Sequence, residues 1–224
     1  LAHCCGLVGT VCFILMLVPQ IALNARKKST EGLSLGLVGA WHAASVLGAA
    51  FYTTQVSSLP AVCSMAFFAL ACAIIEGQMV AYGTRFQGST SGRRVGVFVG
   101  VSVAATVASF CLAAVLAWLM FKLSTEATYS LGNFLPTILL SAGFIPQYCE
   151  FIGNWSIEGY SFGVTAFDVL GSAGNTVALF APAGVQPAQA LAAAVPFLTI
   201  IAMHVVLLVI AATIFCSGGK TLPR

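Results

Sequence analysis

Long apolar stretches alternate with short polar ones along this chain. Seven apolar runs stand out, at residues 4–23, 33–54, 60–82, 95–121, 129–149, 160–181 and 188–216. Each holds about 20 residues or more, enough to cross about 30 Å of hydrocarbon at 1.5 Å per helical residue. The pattern predicts an all-α membrane protein of seven transmembrane helices. Glycine, alanine and serine recur in all seven runs, notably within 32–39 and 171–174. Hydrophobicity does little to bring helices together in lipid, so small residues at close crossings are what pack a bundle.

The polar breaks carry a repeat. Shifted by 127 residues, Pro19-Gln20 falls on Pro146-Gln147, and Ser29, Glu31, Gly32, Ser34 and Gly36 fall on Ser156, Glu158, Gly159, Ser161 and Gly163 without a gap. That is 7 identities in the 19 positions from 18 to 36, where average residue frequencies give roughly one or two. A period this long is what a duplicated helical bundle leaves behind.

Composition removes the soluble alternative. The chain is 59% apolar and 7% charged, with a mean hydropathy of +1.00, against about 25% charged in a soluble domain. The net charge of +3 matters through its placement. Arg26, Lys27 and Lys28 follow the first run, Arg85, Arg93 and Arg94 follow the third, and Lys220 and Arg224 follow the seventh; the other side has Lys122 alone. This asymmetry puts the N-terminus in the lumen or exterior and the C-terminus in the cytosol. With runs one to three and five to seven as the two copies, run four is an extra crossing that makes the copies parallel. The plan is 3+1+3: a first three-helix repeat at 1–83, a cytosolic loop and linker helix at 84–127, a second repeat at 128–217 and a cytosolic tail at 218–224. A site between repeats is typical of transporters.

The eight cysteines form no Cys-x-x-Cys pair and mostly fall in apolar runs, where they read as small buried hydrophobes. A lumenal disulfide from Cys4 or Cys5 to Cys63 is the alternative. The chain opens on Leu1 rather than Met, so the true N-terminus and any sorting signal are expected to be missing. No zinc spacing, phosphate loop, cofactor fingerprint or nucleic-acid feature is found, nor a Ser-His-Asp order or Gly-x-Gly-Asp protease pattern; no enzyme is expected.

Three groups of polar residues stand out against the apolar background. Pro19 and Pro146 sit near the end of the first helix of each copy, where proline removes a backbone hydrogen bond. Gln20 and Gln147 beside them are placed to bond that opened backbone or a substrate, and the four residues read as paired hinges. Asp168 falls about eight residues into the sixth run, roughly 12 Å deep by helix rise. A carboxylate there is penalised when charged, so proton coupling is the functional reading; the repeat sets Trp41 opposite it. His42 and His204, near the middle of their runs, are further proton-route candidates. Asn175, seven residues past Asp168, is placed to share its cavity, and Glu76 either reaches the interface or faces the cavity. Trp41, His42, Glu76, Asn175 and His204 are the substrate-binding candidates.

Val18-Pro19-Gln20 with Asn24, Arg26, Lys28-Ser29 and Glu31-Gly32-Leu33-Ser34 resembles the first motif of the PQ-loop repeat family. Pro146-Gln147 with Ser156, Glu158-Gly159-Tyr160-Ser161-Phe162-Gly163 and Asp168 resembles the second, most closely in cystinosin-like members. Gly153, Asn154 and Trp155 stand where basic residues are usual, and Trp41-His42 where polar or acidic ones often stand. The resemblance implies a lysosomal or vacuolar transporter, with Asp168 coupling an amino acid to protons; cystine, a cationic amino acid and another solute stay open. Its partners would be a small-molecule solute, protons and the lipid bilayer, with no nucleic acid. A SWEET-type sugar uniporter and a non-transporting receptor on the same fold are the rival readings.

Overall fold

In the computed structural model, residues 2–54, 59–83, 90–180 and 187–218 are described. Arg85, Lys220 and Arg224 of the orientation argument lie outside them, as does most of the 218–224 tail. The described residues form eight helical segments and no strand: α1 (Ala2–Leu15), α2 (Val18–Lys27), α3 (Leu35–Thr54), α4 (Leu59–Tyr82), α5 (Ser91–Met120), α6 (Thr125–Asn154), α7 (Phe162–Phe180) and α8 (Pro187–Cys216).

α1 and α2 are one rod with a break, and Pro19 explains where it falls. Proline has no N–H to offer the carbonyl four residues back, which belongs to Leu15, and its ring crowds that turn. α1 stops at Leu15, α2 starts at Val18, and the ladder resumes with Ile21 N–H donating to the Leu17 carbonyl at 3.0 Å. Pro136 and Pro146 lie inside a continuous α6. Counted this way there are seven rods, one for each apolar run. α6 runs several residues beyond its run at both ends, because a helix continues into polar flanks where its backbone still pairs.

Among the described residues, five helices are long and apolar enough to cross a membrane: Cys4–Lys27, Leu35–Thr54, Ala61–Tyr82, Ser91–Met120 and Ala194–Cys216. α6 and α7, the fifth and sixth runs, fall outside that set. They hold Glu150, Gln147, Asp168 and Asn175, so the polar groups that suggest a site also dilute the hydropathy.

The two copies clasp each other. α1 packs on α7 and α6 on α3, so the helix before each Pro-Gln loop lies against the helix after the other loop. Pro19 and Pro146 sit in these crossings. A Cβ on Gly163 would meet Pro19 Cβ at 2.7 Å, and one on Gly36 would meet Pro146 Cγ at 2.8 Å, so each glycine makes room for the other copy's proline. α5 packs on α3 and α4 of the first copy. Much of its remaining surface is apolar and exposed, including Val99, Val103, Val107 and Trp118. The main core joins the copies through Trp41, Phe144, Phe151, Tyr160 and Leu207.

All eight cysteines are free, Cys4, Cys5 and Cys63 among them. Only Cys12 and Cys72 are buried. Cys4, Cys111, Cys149 and Cys216 lie on the outside of the bundle, where an apolar environment suits a thiol as well as a core does.

Candidate functional site

The loops that follow the two Pro-Gln pairs cross at one end of the bundle. α2 and α6 each end in a left-handed residue, Lys28 at φ 50° and Trp155 at φ 47°, at equivalent positions of the repeat. Gly32 at φ 83° and Gly159 at φ 95° then turn the chain back. A Cβ on Gly32 would collide with the Glu158 carbonyl oxygen, and one on Gly159 with that of Glu31. Only glycine fits where two backbones pass this closely.

Gln20 and Gln147 lock the crossing and are fully buried. Gln20 Nε2 donates to the Gly159 carbonyl at 2.8 Å, and Gln20 Oε1 accepts from Ser161 N–H at 2.7 Å. Gln147 Nε2 donates to the Gly32 carbonyl at 2.9 Å, and Gln147 Oε1 accepts from Ser34 N–H at 2.9 Å. These four bonds are two copies of one arrangement. The glutamines do not repair the backbone opened by the prolines beside them; each satisfies the other copy's loop, whose turned backbone offers a carbonyl and an N–H that a buried amide matches. In the first copy alone the network extends further. Gln20 Nε2 also donates to Asn24 Oδ1 at 2.8 Å, and Asn24 Nδ2 donates to Gln78 Oε1 at 2.9 Å. Lys27 meets Glu158 at 3.6 Å on the surface of the crossing.

A cavity of about 110 Å³ occupies the bundle between the copies. Its deep wall holds Trp41, Phe144 and Asp168; its lining continues to Tyr52, Met65, Gly132 and Pro196. These last residues lie toward the ends of α3, α4, α6 and α8 remote from the crossed loops, so the cavity runs from mid-bundle away from the crossing. Trp41 forms its aromatic wall with Phe68 and Phe144, at centroid distances of 5.9 and 5.5 Å. The Trp41 indole N–H is buried with no protein acceptor among the described residues.

Asp168 is paired. His204 Nε2 lies 2.7 Å from Asp168 Oδ2, with both groups buried, and joins α7 to α8. Phe144 stands edge-on to the His204 ring at 4.8 Å. His204 Nδ1 has no partner among the described residues. The first copy holds a counterpart: His42 Nδ1 lies 2.9 Å from Glu76 Oε1 and joins α3 to α4. On the other side of the ring, His42 Nε2 lies 2.7 Å from Ser109 Oγ of α5. One histidine and one carboxylate thus tie α3 to α4, and another such pair, in opposite order, ties α7 to α8.

Among the candidates, Trp41 and Asp168 line the cavity. His204 stands behind Asp168. His42 and Glu76 pair with each other and are absent from the lining, and Asn175 packs against Gly9 of α1 instead of joining Asp168 there. Sequence reasoning missed Ser109 and the Asn24-Gln78 extension. Nor did it join His42 to Glu76 as a second pair. The repeat alignment already held that signal: His42 and Glu76 fall one position from the equivalents of Asp168 and His204.

Comparison with known proteins adds two findings. The family model of the PQ loop repeat matches residues 1–61, which hold α1, α2, α3 and the start of α4. An uncharacterized protein of Schizosaccharomyces pombe is 31% identical over 175 residues, covering 75% of this chain and 58% of the relative. The chain thus spans less than two thirds of that relative's length. The crossed loop that begins at Pro19-Gln20 lies inside the matched region, and the family these findings support is the PQ-loop repeat family.

Proposed function

We propose that this chain is a multi-pass membrane transporter, cystinosin-like in plan, that moves a small solute with protons from an acidic organelle to the cytosol. The observation that carries the reading is the buried Asp168–His204 pair at the deep wall of a cavity between the two copies. A carboxyl in such surroundings is stable when neutral or paired and costly when bare. A solute that binds one protonation state better than the other links its own movement to that of a proton.

Seven crossings in a 3+1+3 plan complete the proposal, with the copies parallel and α5 as linker. α6 and α7 cross as the inner walls of the cavity, where neighbouring helices shield their polar groups from lipid. The basic residues assign the crossed loops to the cytosol and the N-terminus to the lumen. The structure then corresponds to a state closed toward the cytosol, with its cavity directed to the lumen. Opening the other way requires the crossed loops to part, with the Pro19 break as hinge. An amino acid such as cystine or a cationic amino acid is the proposed solute, the lysosome or vacuole the compartment, and no enzymatic step is involved.

The test is uptake of a radiolabelled amino-acid panel into proteoliposomes under an imposed pH gradient, for the parent and for Asp168→Asn at matched protein amounts. The variant imitates the neutral carboxyl. Gradient-driven accumulation should disappear, while exchange of labelled for unlabelled solute persists because it needs no change of protonation. Undiminished accumulation in the variant removes Asp168 from the coupling. Flux indifferent to pH in the parent favours a sugar-type uniporter, and binding without flux favours a receptor.

A further inference from the structure

His42 is held on both ring nitrogens, and the geometry at Ser109 gives this a consequence. Ser109 Oγ lies 2.7 Å from the Ala105 carbonyl and 2.7 Å from His42 Nε2. Its one proton can serve only one of them. If the hydroxyl donates to Ala105, Nε2 must carry a proton and donate to Oγ. The 2.9 Å contact of Nδ1 with Glu76 Oε1 then holds a further proton, and the pair is neutral overall. If the hydroxyl turns to Nε2, the ring keeps its proton on Nδ1 and donates it to a charged Glu76. Ala105 retains its place in the helix ladder either way. One proton can therefore be added or removed by rotating one hydroxyl, which exchanges its bond to the Ala105 carbonyl for one to Nε2 and leaves both ring nitrogens partnered. The Asp168–His204 pair lacks this property: a proton on His204 Nδ1 would be a buried donor without an acceptor among the described residues.

We propose that Glu76, His42 and Ser109 form a second proton-holding site, outside the lining of the solute cavity, which ties α5 to α3 and α4. The Glu76 side chain is about one-fifth exposed. On α4, Cys72 lies one turn from Glu76. Cys12 on α1 packs at Gly171 of α7, and the Tyr148 hydroxyl on α6 donates to the Met203 carbonyl of α8, so both are directed to other contacts. The charged residues of the other packed helices, Arg26 and Lys27 on α2, Arg93 and Arg94 on α5 and Glu126 and Glu150 on α6, occupy positions at helix ends. A hydroxyl, imidazole and carboxylate in this order also serve nucleophilic catalysis. That chemistry needs unclaimed N–H groups beside the serine to hold an oxyanion. Ser109 lies deep inside α5, whose N–H groups are committed to the helix.

The assignment does not depend on solute flux, so the test can fail separately from the transport reading. The full chain labelled with ¹⁵N-histidine is titrated by NMR in lipid nanodiscs between about pH 5 and 8, with His42 identified by His42→Gln. Both ring nitrogens should be protonated or proton-sharing at low pH. At high pH Nδ1 should carry the proton and Nε2 accept. Ser109→Ala strips Nε2–H of its acceptor, which penalises the protonated form more than the other. It should weaken proton binding about tenfold, lowering the midpoint by about one pH unit, and Ser109→Thr should restore it. Asp168→Asn should leave the His42 titration in place. A ring fixed in one state throughout, or a Ser109→Ala midpoint equal to the parent's, overturns the proposal; so does labelling of Ser109 by a fluorophosphonate, which would make it a nucleophile. Proton-driven flux with a silent His42 leaves the transport reading standing without this site. A titrating His42 with no flux does the reverse.

Discussion

At Gly32 and Gly159 a side chain meets both a forbidden backbone region and another backbone. Gly32→Ala and Gly159→Ala should each lose about 1–2 kcal/mol to the left-handed conformation alone, with the collision against a carbonyl oxygen added. Gly39 lies in α3, and a Cβ at that position would have nothing within 4 Å, so Gly39→Ala should leave stability unchanged or slightly raised. Thermal unfolding midpoints in detergent give the comparison; equal midpoints for all three would mean that the loops do not cross as described. Replacing Gln20 or Gln147 by alanine strips a buried N–H and a carbonyl of their partner, at about 1–3 kcal/mol for each orphaned group. Gln20→Ala should be the more damaging of the two, because it also unseats Asn24 from a network that the second copy lacks.

At the scale of elements, the two prolines are not equivalent although their sequence context is. Pro19 interrupts its rod, whereas Pro146 is carried inside an unbroken α6. Pro19→Ala supplies an N–H for the Leu15 carbonyl and should fuse α1 and α2. Pro146→Ala should change little in the shape of α6. Spin-label distances between the N-terminal end of α1 and the C-terminal end of α2 should lengthen only in the first variant. Under the transport proposal only Pro19→Ala should slow flux markedly; equal slowing by both would make the hinge symmetric after all. Each proline also packs against a glycine of the other copy, so Gly163 and Gly36 belong to the same mechanical unit as the prolines.

For the whole molecule, the decisive quantity is orientation. Asn154-Trp155-Ser156 is a glycosylation sequon at the crossed-loop end, with Asn154 Nδ2 donating to Glu150 at 2.8 Å. If that end is cytosolic, Asn154 never carries glycan. A mobility shift on deglycosylation that vanishes in Asn154→Gln would reverse the orientation, and the cavity would then open to the cytosol. Arg26, Lys27 and Lys28 at the end of the first helical rod, against a lone Lys122 on the other side, make that outcome unexpected.

Hydropathy determined the helices, since an apolar run of about 20 residues has few other stable fates. The repeated Pro-Gln and Ser-x-Glu-Gly pattern marked both loops and both bends, because local backbone geometry demands those residue types wherever the loops go. Which groups meet was decided by the tertiary structure. Gln20 and Gln147 carry the same motif whether they bond their own helix or the opposite loop, and only the crossing of the copies selects the loop. Asp168 was legible as an expensive buried carboxyl, but its partner 36 positions away was not. Glu76, His42 and Ser109 come from three helices, and a helix fixes only which of its residues share a face. The pairing of faces arises from close packing between helices, which no local pattern encodes.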